Sequence, residues 1–111
     1  MEESNFIIRK IDDLGRIVIP RDKRKENGIA IKDKFKVHIE EKEIILRKIN
    51  QEESSSENQI TRSIDELGRI ALPKGIRKDL GFNIGDEVKI FFMANSTILI
   101  KAQGKDFDYE W

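Results

Sequence analysis

Arg9, Arg16, Arg24 and Lys25 recur 53 residues later as Arg62, Arg69, Arg77 and Lys78, so one spacing of cations occurs twice in the chain. A guanidinium is a planar fork that suits phosphate oxygens and guanine edges, and two equivalent sets would meet the twofold symmetry of duplex DNA. Arg21, Lys23 and Lys74 add further positive charge, whereas Asp22, Glu26 and Asp79 partly neutralise it. Residue types alone therefore allow a solvated charged surface as readily as a DNA-binding one.

Other chemistries find fewer residues. The neighbouring carboxylates Asp12-Asp13 and Asp65-Glu66 lie along turns and do not face each other across a cleft, as acid/base pairs must, so they read as turn-shaping residues. His38 is the single histidine and falls in the polar phase of an alternating strand. With no cysteine in the chain, neither a thiolate metal site nor a disulfide framework can be built. Ser54 to Ser56 sit in a polar stretch without a histidine nearby, and no phosphate-cradling glycine loop is present. The expectation is a protein that is not an enzyme, with no catalytic residue, no metal and no cofactor.

The chain of 111 residues is 38% hydrophobic and 38% charged, a globular composition with a heavily charged surface. Twenty-one basic residues balance twenty-one acidic ones, so any attraction to a polyanion must come from local clustering. The acidic, polar start Met1-Glu2-Glu3-Ser4-Asn5 is unlike a signal peptide, and no apolar run approaches membrane-spanning length. Together with the missing cysteines, this leads to the expectation of a soluble, cytoplasmic protein without a membrane partner.

The elements that position the cations are themselves repeated. Arg9 to Pro20 aligns with Arg62 to Pro73 without a gap, and the match continues through Gly28 over Gly81, Ile31 over Ile84, Asp33 over Asp86 and Lys36 over Lys89. Each copy begins with an apolar strand (6–11; 60–64), a turn at Asp-Asp-Leu-Gly or Asp-Glu-Leu-Gly, and a second strand (16–19; 69–72), which together read as a hairpin. Pro20 and Pro73 suit the first position of a helix of about two turns, and Gly28 and Gly81 suit its left-handed end. Phe35-Lys36-Val37-His38-Ile39 alternates as a third strand with one face on a core, and Val88-Lys89-Ile90 begins the same way. Fourth strands at 44–46 and 97–100 follow short loops at 40–43 and 94–96.

Each unit is therefore ββαββ, and the fold class is mainly β with short helices. Unit one is assigned to residues 5–49, a polar linker to 50–59, unit two to 60–103, and an acidic-aromatic tail, read as frayed, to 104–111. A unit of about 50 residues is marginal alone, so pairing between units is expected.

Ile8-Arg9-Lys10-Ile11-Asp12-Asp13-Leu14-Gly15-Arg16-Ile17-Val18-Ile19-Pro20 and its repeat closely resemble the DNA-binding domain of the AbrB/SpoVT family. The resemblance covers nearly everything except linker and termini. It implies a swapped-hairpin β-barrel, in which two ββαββ units interlace and present arginines to duplex DNA as a transcription regulator. By position, the family's DNA-contacting residues fall on Arg9, Arg16, Arg24, Lys25, Arg62, Arg69, Arg77 and Lys78. The chain departs from the family in its first helix: Ile76 and Leu80 of the second copy face Lys23 and Asn27 in the first, which predicts a more exposed first helix.

Intrachain pairing of the two units is favoured, because a linker of about ten residues spans roughly 33 Å when extended and a tethered partner has an effective concentration on the order of millimolar. Homo-oligomers stay open. A MazE-like antitoxin that binds a toxin protein and autoregulates through DNA is the main rival, weakened by the short C-terminal extension. A structural or interaction module without DNA binding is the third reading.

Overall fold

The computed structural model describes residues 6–50, 59–94 and 97–102. Most of the polar linker, including Ser54 to Ser56, and the acidic-aromatic tail lie outside these residues. The first repeat supplies β1 (Phe6–Lys10), β2 (Arg16–Val18), α1 (Arg21–Glu26), β3 (Lys34–Glu40) and β4 (Glu43–Lys48). The second supplies β5 (Ile60–Ser63), β6 (Arg69–Ala71), α2 (Lys74–Leu80), β7 (Glu87–Met93) and β8 (Thr97–Ala102). The order is ββαββ in both.

The strands form a six-stranded antiparallel sheet, ordered β1-β7-β8-β4-β3-β5, and a two-stranded ribbon of β2 with β6. β1 pairs with β7 of the other repeat, Ile7 opposite Ile90, and β5 pairs with β3, Ile60 opposite Val37. The repeats meet at the middle, where Ile44 lies opposite Ile100 and Leu46 opposite Ile98. They meet again in the ribbon, where Ile17 lies opposite Ile70. The β1–β7 and β5–β3 pairings map onto each other under the 53-residue offset, and the ribbon and the β4–β8 pairing each map onto themselves, the latter with one extra residue in the β7–β8 turn, so a pseudo-twofold axis passes between β4 and β8 and through the ribbon. This is the swapped-hairpin barrel, closed within one chain.

One core holds it together. Ile11, Ile17, Ile19, Phe35, Val37, Ile44 and Leu46 pack with Ile64, Ile70, Leu72, Val88, Ile90, Ile98 and Ile100, all nearly or fully buried. β-branched side chains dominate because they suit a pleated, buried surface, and each one buried stabilises the fold by roughly 1.5–3 kcal/mol. Since both repeats contribute, neither could be removed without opening the core of the other.

Three local expectations are corrected. The arms of the first turn, β1 and β2, do not pair with each other: the turn is closed by the Asp12 amide on the Arg16 carbonyl, 2.9 Å, and the strands then diverge into different sheets. Burial of both arms requires partners on both sides, and the other repeat provides them. Pro20 and Pro73 cap their helices from just outside, with extended ψ of 154° and 138°, and are not the first helical residues. Ile39 is exposed, because β3 runs past the edge of the core after Val37.

Candidate nucleic-acid interface

The turn between β1 and β2 is organised by one carboxylate. Asp12 Oδ1 accepts hydrogen bonds from the amides of Leu14 (3.0 Å) and Arg16 (2.8 Å), and Oδ2 accepts one from Arg16 Nε at 2.9 Å. Asp65 does the same for Leu67 and Arg69, at 2.9, 2.8 and 2.8 Å. The sequence reading of these carboxylates as turn-shaping residues agrees with this geometry, but it missed their second role. By holding Nε, each aspartate aims an arginine fork whose two terminal nitrogens stand outside the ion pair. The signal was available as an Asp-x-x-x-Arg spacing kept in both copies.

Partial burial by itself would raise the Asp12 pKa. The Arg16 amide and guanidinium, the Leu14 amide and the Arg16 charge together outweigh it and hold the carboxyl below the usual aspartate range. Asp65 follows the same balance with Arg69 and Leu67. Both turns thus carry an ionised carboxylate at neutral pH.

A second arginine reaches each turn from the other repeat. Arg77 Nε donates to the Leu72 carbonyl at 3.0 Å, and its guanidinium lies flat on Gly15, where an added Cβ would stand only 2.6–2.8 Å from its atoms. Arg24 Nε donates to the Ile19 carbonyl at 2.9 Å and lies on Gly68, where an added Cβ would meet Nε and the Ile19 carbonyl at 3.0 Å. Both glycines also have φ of +81°, a conformation that a side chain would strain. The backbone seals the same contact: the Ile19 amide donates to Gly68, and the Leu72 amide to Gly15, each at 2.9 Å. Each arginine pair is therefore composite, Arg16 with Arg77 and Arg69 with Arg24, and is created by the interlacing.

The other expected residues are placed differently. Arg9 and Arg62 are half-buried on the edge strands, opposite the core residues Val88 and Phe35, with their guanidinium groups turned to the carbonyls of Ile8 and Thr61 at 2.7 Å. No contact joins them to the composite pairs among the described residues. Lys25 and Lys78 are exposed in the last turns of α1 and α2. Leu14 and Leu67, about two-thirds exposed at 69% and 67%, form the tips of the two turns.

α1 buries none of its residues, whereas α2 buries Ile76 and leans Leu80 on the core, as the Lys23 and Asn27 substitutions predicted. Asn27 serves its own helix, donating Nδ2 to the Lys23 carbonyl at 2.8 Å. His38 is half-exposed, 3.0 Å from Glu40. Among the described residues no three acidic or histidine side chains converge as a metal set, and no helix is long and apolar enough to cross a membrane.

Comparison with known proteins matches this arrangement twice over. The family described as "antidote-toxin recognition MazE, bacterial antitoxin" matches residues 8–54 and again 61–108. Transition state regulatory protein AbrB of Bacillus subtilis is 46% identical over 46 residues, covering 41% of this chain and 48% of that protein. The putative transition state regulator Abh of the same organism is 45% identical over 42 residues, covering 38% and 46%. The chain thus spans about half the length of the curated relatives it matches. A solution structure of PHS018 from Pyrococcus horikoshii shares the fold, with a TM-score of 0.52 at 20% identity over 90% of this chain and 95% of that one.

Proposed function

Because the chain belongs to the bacterial MazE antitoxin family, with one match to each repeat, we propose that it is a cytoplasmic, duplex-DNA-binding transcription regulator of AbrB type that acts without catalysis. The observation that carries this reading is the pair of composite arginine clusters related by the pseudo-twofold axis. Duplex DNA is a twofold polyanion, and a protein that offers two equivalent cationic sites meets it without rearrangement.

The mechanism is one of preorganised charge. Asp12 and Asp65 hold Arg16 and Arg69 in place before DNA arrives, so less side-chain entropy is lost on binding. Arg24 and Arg77, pinned through Nε to the backbone, place their forks over Gly68 and Gly15 beside the same turns. Lys25 and Lys78 add exposed phosphate contacts, and Arg9 and Arg62 are reached at the flanking edges. Leu14 and Leu67 give each turn an apolar tip suited to sugar or thymine methyl surface. Phosphate contacts dominate affinity, and transcription changes because promoter DNA is occupied.

Full-length protein titrated with duplex DNA fragments over a range of salt tests this reading. With all eight cations on phosphates, the slope of log K against log salt approaches about −7. Arg16→Ala combined with Arg69→Ala should abolish tight binding and flatten that slope. Wild-type protein that fails to bind even at low salt would overturn the regulator reading. The family description favours a second reading, an antitoxin that also covers a toxin protein. In that case the double variant would lose DNA yet keep its protein partner.

A further inference from the structure

The turn before β3 and its counterpart before β7 are the same structure built from different residues. Lys32 has φ of +78° and donates its amide to the Ile64 carbonyl at 2.8 Å, and Gly85 has φ of +91° and donates to Ile11 at 2.8 Å. The following aspartates close both loops alike, Asp33 accepting from the Ala30 amide at 2.7 Å and Asp86 from the Asn83 amide at 2.8 Å, and Asp33 additionally pairs with Lys48 at 3.0 Å. Left-handed backbone is required here in both repeats. Glycine adopts it freely, whereas the Cβ of lysine is strained in it. Local structure therefore gives no reason for lysine at position 32, and the reason must lie with its side chain.

The side chain stands at one of the two arginine clusters. Lys32 is exposed and, with Asp65, Glu66, Leu67 and Arg69, lines a shallow surface pocket beside the turn of the second repeat. Its bond to Ile64 fixes it there, one residue ahead of Asp65. The Asp65 carboxylate is occupied by the Leu67 and Arg69 amides and by Arg69 Nε. Among the described residues no carboxylate is paired with the Lys32 ammonium. Glu66 at this turn has an acidic counterpart, Asp13, at the other, so the two turns match in acidic charge, and Lys32 stands where the other turn has Gly85.

We infer that Lys32 is a further DNA-phosphate ligand, serving the half of the interface built on Arg69 and Arg24 and missing from the half built on Arg16 and Arg77. The inference rests on the DNA-binding reading. Its consequence is that the two pseudo-equivalent halves differ at this position: the Arg69 half has a phosphate ligand where the Arg16 half has Gly85. Such a protein binds an asymmetric site in a preferred orientation.

Salt titrations of the full chain with duplex DNA test this, using Lys32→Gly and Lys32→Gln. Both should lower affinity about fivefold at 0.15 M salt and make the log–log salt slope shallower by about 0.9. Lys32→Gly should at the same time raise the unfolding temperature, because it removes the backbone strain, and Lys32→Gln should not. Lower affinity in a more stable protein is a result that damage to the fold cannot produce. Wild-type salt slopes in both variants, with binding still lost in the Arg16/Arg69 double alanine, would overturn the role of Lys32 and leave the regulator reading standing. No binding by the wild type would remove both.

Discussion

Asp12 and Asp65 show how much of the candidate site depends on residues that would not themselves touch DNA. Each carboxylate is held by two amides and one guanidinium, and its pKa lies below the usual range because those donors outweigh partial burial. A lowered folded-state pKa means that the unfolded chain takes up protons first as pH falls. The contribution of each carboxylate is therefore complete near neutrality, begins to go below about pH 4, the ordinary aspartate range, and is gone below the lowered folded value. Their side chains are 34% and 37% exposed, so solvent screening keeps the effect to at most about 1 kcal/mol each. Asp12→Asn with Asp65→Asn should accordingly lower the urea midpoint at pH 7, and the gap from wild type should close as the pH is taken below 4. A gap that persists unchanged at pH 2 to 3 would mean that ionisation plays no part. The same variant should weaken DNA binding, since Arg16 and Arg69 lose the group that aims them. The arginines themselves were legible in the sequence because their spacing repeats. Their pairing was not, because Arg24 and Gly68, or Arg77 and Gly15, are brought together only by the crossing of the two repeats.

At the scale of elements, the two helices are a natural comparison of one position with and without an apolar face. α2 seats Ile76 at 7% exposure, whereas α1 offers Lys23, whose ammonium reaches Glu26 at 3.4 Å. That exposed ion pair is worth little. Lys23→Ile should therefore raise stability, by about 0.5–1 kcal/mol, through added apolar burial. Ile76→Lys should cost about 2 kcal/mol, by loss of the same burial and desolvation of an amine. Denaturant midpoints of the two variants check both signs, and amide exchange in wild type should be faster in α1 than in α2. The asymmetry was readable in advance because helical periodicity fixes which positions face inward. Strand identity was likewise readable from alternation, but strand partnership was not. Nothing in the pattern of β1 distinguishes pairing with β2 from pairing with β7, since both choices keep the same face buried. The interlaced partnership came from resemblance to a family, and its register came only with the structure.

The whole molecule is a pseudo-dimer in one chain, and its duplication changes what each half is free to do. In a true homodimer a substitution is imposed on both sites. Here Lys32 faces Gly85 across the axis, Lys23 faces Ile76, and the outer pair Phe6 and Phe91, 5.2 Å apart, stands where the other half has Gln59 and His38. The halves can thus diverge while one core still requires both. The first repeat on its own, residues 1–50, retains the β3–β4 pairing but loses β7 for β1, β6 for β2, β5 for β3 and β8 for β4. Those missing pairings can be restored only by another copy of the same segment. Residues 1–50 should therefore be unfolded when dilute and form a twofold dimer when concentrated, with a melting temperature that rises with concentration. The full chain should melt in a single transition independent of concentration, because the tether supplies the partner at an effective concentration on the order of millimolar. Sedimentation and thermal melts over a hundredfold range of concentration separate these behaviours. A stably folded monomer of residues 1–50 would show that the exchange of strands between repeats is dispensable. Dimerisation would instead show that the linker converts an association into a fold, and so permits the two arginine-bearing surfaces to become different.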